Sequence, residues 1–256
     1  METIGFILPT YGQYEYAKRA AKSFMESTTS VRPVVILVDD ASPEGFDAYN
    51  ELVLEIKPER SFRFSANGGL TRSWNAGLAM GRDFDYLICG NSDLVFSKHW
   101  DYNVLLGLKS YDLVGPTTNA SGWGTPRQNI KYHQTYNLSD NQRLIDETQR
   151  EIDHASYRAI PLAAPKITYA AQGVQLTIPE LLNGFCMIAK SKTWHSGKFS
   201  TSCVFNPANK MTENETELQM RWALLGRRSA VVRSFVFHYR AITRGDAALC
   251  EGAYRP

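Results

Sequence analysis

An α/β fold built on a doubly wound, mostly parallel sheet is what this sequence predicts, and three observations predict it. Short apolar runs recur through the first half of the chain about every 25 to 30 residues. Amphipathic stretches of helical period separate them, the pattern of repeated βα units. Each run is followed directly by a polar or turn-forming group, as strands feeding a common rim would be. At 256 residues the chain is long enough to bury a sizeable core in one or two domains.

The runs Ile4 to Leu8, Val34 to Val38, Ser61 to Phe64 and Tyr86 to Cys89 are the expected strands. Between the first two, Ala17, Ala20, Ala21 and Phe24 fall on one stripe of a helix over Tyr14 to Met25, with Lys18, Arg19 and Lys22 largely off it. Leu70, Trp74, Leu78 and Gly81 make a second stripe, and Arg72 and Asn75, three apart, share another face that is free for a ligand. From Gly115 to Pro126 the chain is rich in Gly, Pro, Ser and Thr and reads as a long surface loop, too irregular for a strand. Ser139 and Gln142 form a capping-box pattern that opens a polar, weakly packed helix to about Ala155, anchored by Leu144, Ile145 and Ile152. Phe185 to Ala189 reads as a return strand. Glu215 to Leu225 reads as a helix stopped by Gly226, and Ser229 to Phe237 as a final strand ending at His238.

Composition narrows the function classes. Lys plus Arg number 28 against 26 Asp plus Glu, a net charge of +2, which is too weak a field for nucleic acid or an anionic membrane to be the main partner. The longest purely aliphatic run, Val34 to Val38, falls far short of the roughly 20 residues that cross a bilayer. The N-terminus lacks the features of a signal peptide, so a cytoplasmic location is expected. Cys89, Cys186, Cys203 and Cys250 are scattered singles without a C-x-x-C pair, which fits small buried side chains in a reducing compartment. The N-x-S/T triplets at Asn119, Asn137 and Asn214 are then chance matches.

Ligands of open parallel sheets bind beyond the carboxyl ends of the strands. The residues there are Pro9-Thr10-Tyr11-Gly12, Asp39-Asp40-Ala41-Ser42, Asn67-Gly68-Gly69 and Asn91-Ser92-Asp93. Each group alone could be an ordinary turn or helix start. Four in register at one edge are what a single bound ligand would require.

The segments F-I-L-P-T-Y-G, V-I-L-V-D-D-A-S, N-G-G-L-T-R-S-W-N-A-G, L-I-C-G-N-S-D-L-V-F, L-N-G-F-C-M-I-A-K and N-E-T-E-L-Q-M-R-W-A-L-L-G occur in that order. Together they resemble the family 2 glycosyltransferases of the GT-A fold, over about Gly5 to His238 and most closely the rhamnosyltransferase-like branch. The resemblance implies a Rossmann-like sheet with a smaller acceptor-side extension. Residues 1–115 would be a nucleotide-sugar-binding half, and 116–256 an acceptor-binding and catalytic half of the same domain. It implies an inverting transferase acting on a UDP- or dTDP-linked sugar and a glycan, glycolipid or protein-linked acceptor. No nucleic acid enters, and peripheral membrane contact is left open.

Residue by residue, the resemblance places Asp40 on the imide N–H of the base, with Asp39 supporting the loop and Thr10 and Tyr11, after Pro9, under the base or ribose. Asn67, Arg72 and Asn75, with Gly69 in the turn, would line the floor near the diphosphate and donor sugar. Where metal-using members carry D-x-D this chain has Asn91-Ser92-Asp93. Asp93 keeps the direct ligand, His238 completes the shell, and Mn or Mg arrives with the donor. Where the family has E-D-x-D-L, this chain has Asn214-Glu215-Thr216-Glu217-Leu218, so the general base falls on Glu215, with Glu213 in reserve. An acidic first turn that merely complements the helix dipole is the competing role. Asn183 could bond a sugar hydroxyl, Gly184 would admit the acceptor close to the backbone, and Trp123 could stack on a pyranose or anchor its loop.

A dinucleotide oxidoreductase would need G-x-G-x-x-G after the first strand, where Pro9-Thr10-Tyr11-Gly12 stands. A sugar-nucleotide pyrophosphorylase would need a Gly-rich basic loop at the same place. The remaining alternative is a GT-A-like module that binds a nucleotide sugar or glycan without turnover.

Overall fold

The computed structural model describes residues 1–119, 126–128, 141–153, 159–163, 166–170, 173–177, 180–210 and 214–239. The first part runs β1 (Thr3–Thr10), α1 (Tyr14–Ser27), β2 (Arg32–Asp39), α2 (Gly45–Ile56), β3 (Arg60–Arg63), α3 (Leu70–Met80) and β4 (Tyr86–Gly90). Then come β5 (Leu94–Phe96), α4 (Asp101–Gly107), β6 (Leu113–Thr117), α5 (Gln142–Asp153) and β7 (Ala159–Pro161). The chain continues through β8 (Lys166–Ala170), β9 (Gly173–Thr177), β10 (Cys186–Lys190), α6 (Ser191–Ser196), α7 (Asn214–Leu224) and β11 (Ser229–His238).

Nine strands form a mixed, mostly parallel sheet in the order β3-β2-β1-β4-β10-β6-β11-β5, with β7 pairing β11 off that path; β8 and β9 form a separate two-stranded sheet. The longest ladder, β1 with β2, is parallel, as are β1 with β4, β2 with β3 and β6 with β11. β10 enters antiparallel between β4 and β6, so strands from the two sequence halves interleave. The reversal of strand order beside β1 opens a crevice where helices leave to opposite faces.

Both faces are covered, which is why the strand runs are apolar almost throughout. Ile4, Phe6 and Leu8 of β1 join α1 and α2 in one core, while Ile7 faces Trp74 and Leu78 of α3 and Trp222 of α7 in the other. The stripe Ala17, Ala20, Ala21 and Phe24 is buried as its spacing predicts. On α3, a side chain at Gly77 would start 2.2 Å from Ile7 Cγ2, so the glycine lets the helix lie directly on β1.

Two expectations are corrected. Residues 113–117 form a buried strand although Gly115 and Pro116 interrupt the pattern. Register with β10 ends at Val114, and Gln128 Nε2 donates to Pro116 O at 3.1 Å, so the side chain serves where a neighbouring strand would. Leu144, expected as an anchor of α5, is 44% exposed. The buried stripe is Ile145, Thr148, Gln149 and Ile152. Gln149 makes the attachment: at the register shift of β11 its Oε1 accepts from Phe235 N at 2.6 Å, and its Nε2 donates to Arg233 O at 3.3 Å. A side-chain amide thus satisfies backbone groups that the bulge frees. The capping residue Ser139 lies outside the described residues.

Candidate functional site

The ends of β1, β2 and β4 and the start of α3 enclose a pocket of about 140 Å³. Pro9, Thr10 and Tyr11 continue from β1, and Asp40 follows β2. Asn67 and Gly69 come from the loop before α3, and Asn91 and Ser92 from the end of β4. The four strand-end groups therefore converge. Tyr11 stands 47% exposed over the opening. Two larger hollows lie away from these strand ends, one between the start of β4 and α6 and one between α1 and α2, and neither holds a predicted site residue.

The two aspartates after β2 have separate surroundings. Asp39 is fully buried and supports the loop: it pairs with Arg63 and accepts from Thr10 Oγ1 at 3.0 Å, from Tyr14 Oη at 3.1 Å, and from both the backbone N and the hydroxyl of Ser42. Burial, with the Asp39 charge beside it, pushes the Tyr14 phenol up to about 12. Asp40 accepts from Gly68 N at 3.1 Å and Gly69 N at 2.6 Å and pairs with Arg72. The Arg72 guanidinium also lies 3.8 Å from the Phe64 ring centroid. Asp40 thus sits at the pocket while its carboxylate closes the Asn67–Gly69 turn, where Gly69 takes φ +89°.

Arg72 and Asn75, expected along the floor near the diphosphate and donor sugar, are not among the residues that line this pocket. Arg72 turns back onto Asp40, and Asn75 holds the segment around Phe205, accepting from Val204 N and Phe205 N at 3.0 Å and donating to Phe205 O at 3.1 Å. The face of α3 that lines the pocket carries Leu70 and Ser73 instead. Those two, three residues apart, could have been found by testing the neighbouring helical face.

On the other side of Asn91 the structure brings together the two candidate metal ligands. His238 Nε2 lies 3.3 Å from Asp93 Oδ1, and both side chains are nearly buried. Pairing of β5 with β11 sets their separation, Tyr239 N donating to Asp93 O at 3.0 Å. Asn119 clamps the His238 backbone, accepting its N–H at 2.8 Å and donating to its carbonyl at 3.2 Å. The imidazole stacks on Phe185 at 5.2 Å between centroids and 18° between planes. Asn119 and Phe185 are thus positioning residues that motif reading missed, although Asn119 follows a strand end like the others.

Asp93 Oδ1 is buried without a hydrogen-bond donor of good geometry. A buried carboxylate oxygen in that state beside an imidazole is a donor set that suits a divalent cation. Among the described residues no three His, Cys, Asp or Glu side chains gather for a metal.

Glu215 stands on the first turn of α7. A side chain at Gly184 would start 3.0 Å from Glu215 Cδ, so the carboxylate lies against that glycine. Asn214 bonds Glu215 N at 2.9 Å and Thr71 Oγ1 at 3.0 Å, tying the start of α7 to the start of α3. Asn183 Oδ1 accepts from Phe185 N at 3.2 Å, and Asn183 N donates to Gln128 Oε1 at 2.7 Å, which fixes the turn into β10. The segment 183–185 thus touches Glu215 at Gly184 and His238 at Phe185. Trp123 and Glu213 lie outside the described residues.

The pattern of Glycosyl transferase family 2 matches residues 6–162. Among solved structures the chain is similar to S. aureus TarS 1-349, with a TM-score of 0.55 and 13% identity over 93% of this chain and 60% of that one. The same TarS fragment in complex with UDP gives 0.57 and 14%, with the same coverage. GalNAc-T7 with UDP, GalNAc and Mn2+ gives 0.59 and 13%, over 93% of this chain and 43% of that one. This chain therefore spans well under two thirds of either protein, and the likeness is one of fold. None of the curated proteins compared matches. Among the described residues no helix is long and apolar enough to cross a membrane.

Proposed function

The chain belongs to glycosyl transferase family 2, and from that premise we propose that it moves a hexose or deoxyhexose from a UDP- or dTDP-linked donor to a hydroxyl of a glycan, glycolipid or protein-linked acceptor. The observation that carries this reading is the turn 183–185, with the candidate base against one end and the Asp93–His238 pair against the other. The pocket beside Asn91 would take the nucleoside, with Tyr11 as its aromatic wall.

In this reading transfer proceeds with inversion. The acceptor oxygen forms a bond to the anomeric carbon while the bond from that carbon to the diphosphate oxygen breaks, its electron pair leaving with the nucleoside diphosphate. Glu215 takes the proton released by the acceptor hydroxyl. Gly184, without a side chain, lets that carboxylate lie against its backbone. Mn or Mg held by Asp93 and His238 would offset the charge that grows on the departing diphosphate.

Thermal unfolding with UDP- and dTDP-sugars, with and without Mn, tests the donor: a rise in midpoint that grows with nucleotide concentration is expected. The variant Glu215→Gln should keep that rise and lose about 10²- to 10⁴-fold in transfer. Retained transfer would remove Glu215 from the mechanism. Nucleotide binding with no transfer by either protein would favour a binding module.

A further inference from the structure

Ser73 is wholly buried on the first turn of α3 and lines the strand-end pocket, and its Oγ has no hydrogen-bond partner. A helical serine usually returns its hydroxyl to a carbonyl of the preceding turn. Here the carbonyl of that turn, Gly69 O, already receives the backbone N–H groups of Arg72 and Ser73. Buried hydroxyls are nearly always paired, so one aimed into a pocket points to a partner that the pocket receives.

The surroundings select which part of a donor that is. Among the described residues Asp40 is the one charged residue in the lining, which holds no Lys or Arg. The backbone amides at the start of α3 are engaged, Gly68 and Gly69 by Asp40 and Thr71 by Lys210 O. A phosphate would find the amides of Gly68, Gly69 and Thr71 taken and the Arg72 charge already turned onto Asp40. A neutral ring with carbonyl and hydroxyl oxygens fits the volume and the charge.

We propose that Ser73 reads the nucleoside, its hydroxyl donating a hydrogen bond to a base or ribose oxygen at the bottom of the pocket. This rests on the reading that the pocket takes the nucleotide of a sugar donor. Ser73 then contributes to donor recognition through the nucleoside and makes no contact with the diphosphate.

The test compares wild type with Ser73→Ala by thermal unfolding and by calorimetric titration, using uridine, thymidine, UDP and dTDP. Alanine removes a buried hydroxyl that lacks a partner and favours the helix, so the free variant should unfold no lower than wild type. Its affinity should fall about three- to tenfold for the preferred nucleoside and by the same factor for the matching diphosphate, the loss of one neutral hydrogen bond. Equal binding by the two proteins would overturn the assignment. A loss seen with the diphosphate alone would also overturn it, placing Ser73 at the phosphates. If wild type binds none of the four ligands, the nucleotide-donor reading itself fails, an outcome distinct from the other two.

Discussion

Asp39 is a fully buried carboxylate with Arg63, Thr10, Tyr14 and Ser42 on it, and its neighbour Asp40 closes a turn at the pocket wall. In Asp39→Asn the Arg63 charge would stay in place, mostly buried and without its counter-charge, so a loss of about 3 kcal/mol is expected in denaturant unfolding. A change below about 0.5 kcal/mol would show the cluster to be well solvated. Tyr14 adds a pH dependence. Its folded-state phenol is raised to about 12 against an ordinary 10.0, so its contribution to stability is fully present below pH 10 and is lost as pH climbs toward 12. Alkaline titration of the unfolding midpoint should steepen in that window for wild type and flatten in Tyr14→Phe. If Asp93 and His238 hold the proposed cation, Asp93→Asn should remove the part of the nucleotide thermal shift that depends on Mn and leave the part seen without metal. That residues after strands would gather was readable from the chain. That Asp40 would be engaged by Gly68, Gly69 and Arg72 was not, because those bonds depend on how a glycine turn folds back.

At the scale of elements, α3 and α5 show two ways of attaching a helix. α3 lies on β1 through Gly77, and Gly77→Val would drive a branched side chain into Ile7, costing about 1 to 3 kcal/mol from overpacking, beyond any change in helix propensity. α5 is held by Gln149 at the β11 bulge, where Gln149→Leu keeps the volume and leaves Phe235 N to find another partner, while Arg233 O keeps the bond from Asn103 Nδ2 at 2.6 Å. Faster amide exchange at Phe235 than at Val231 is expected in that variant. Unchanged protection would assign the attachment to Ile145 and Ile152. The strands β1 to β4, β10 and β11, with α1 and α7, were legible because apolar runs, helical periodicity and, for α7, a terminal glycine mark their sequences. β6 escaped because Pro116 is a poor strand residue except where the neighbouring ladder has ended, and that ending is set by β10, far along the chain.

For the molecule as a whole, the cysteines report on global packing. Cys89 and Cys186 are fully buried in the central sheet, and burial raises both thiols above their ordinary range, while Cys203 is partly exposed. A maleimide at neutral pH should label Cys203 in the folded protein and reach Cys89 and Cys186 only when the sheet opens, at a rate that follows global unfolding. By itself the sequence determined the α/β class, the alternation of strand and helix from β1 to β4, and the edge of the sheet at which polar residues collect, since periodicity and strand direction are local properties of the chain. Only the tertiary structure decided that His238 meets Asp93, that Gly184 faces Glu215, that Asn75 leaves the pocket and that Ser73 enters it. Each of those depends on contacts between residues far apart in sequence or on a helix rotation of about 100°, which packing against β1 fixes and the chain alone leaves open.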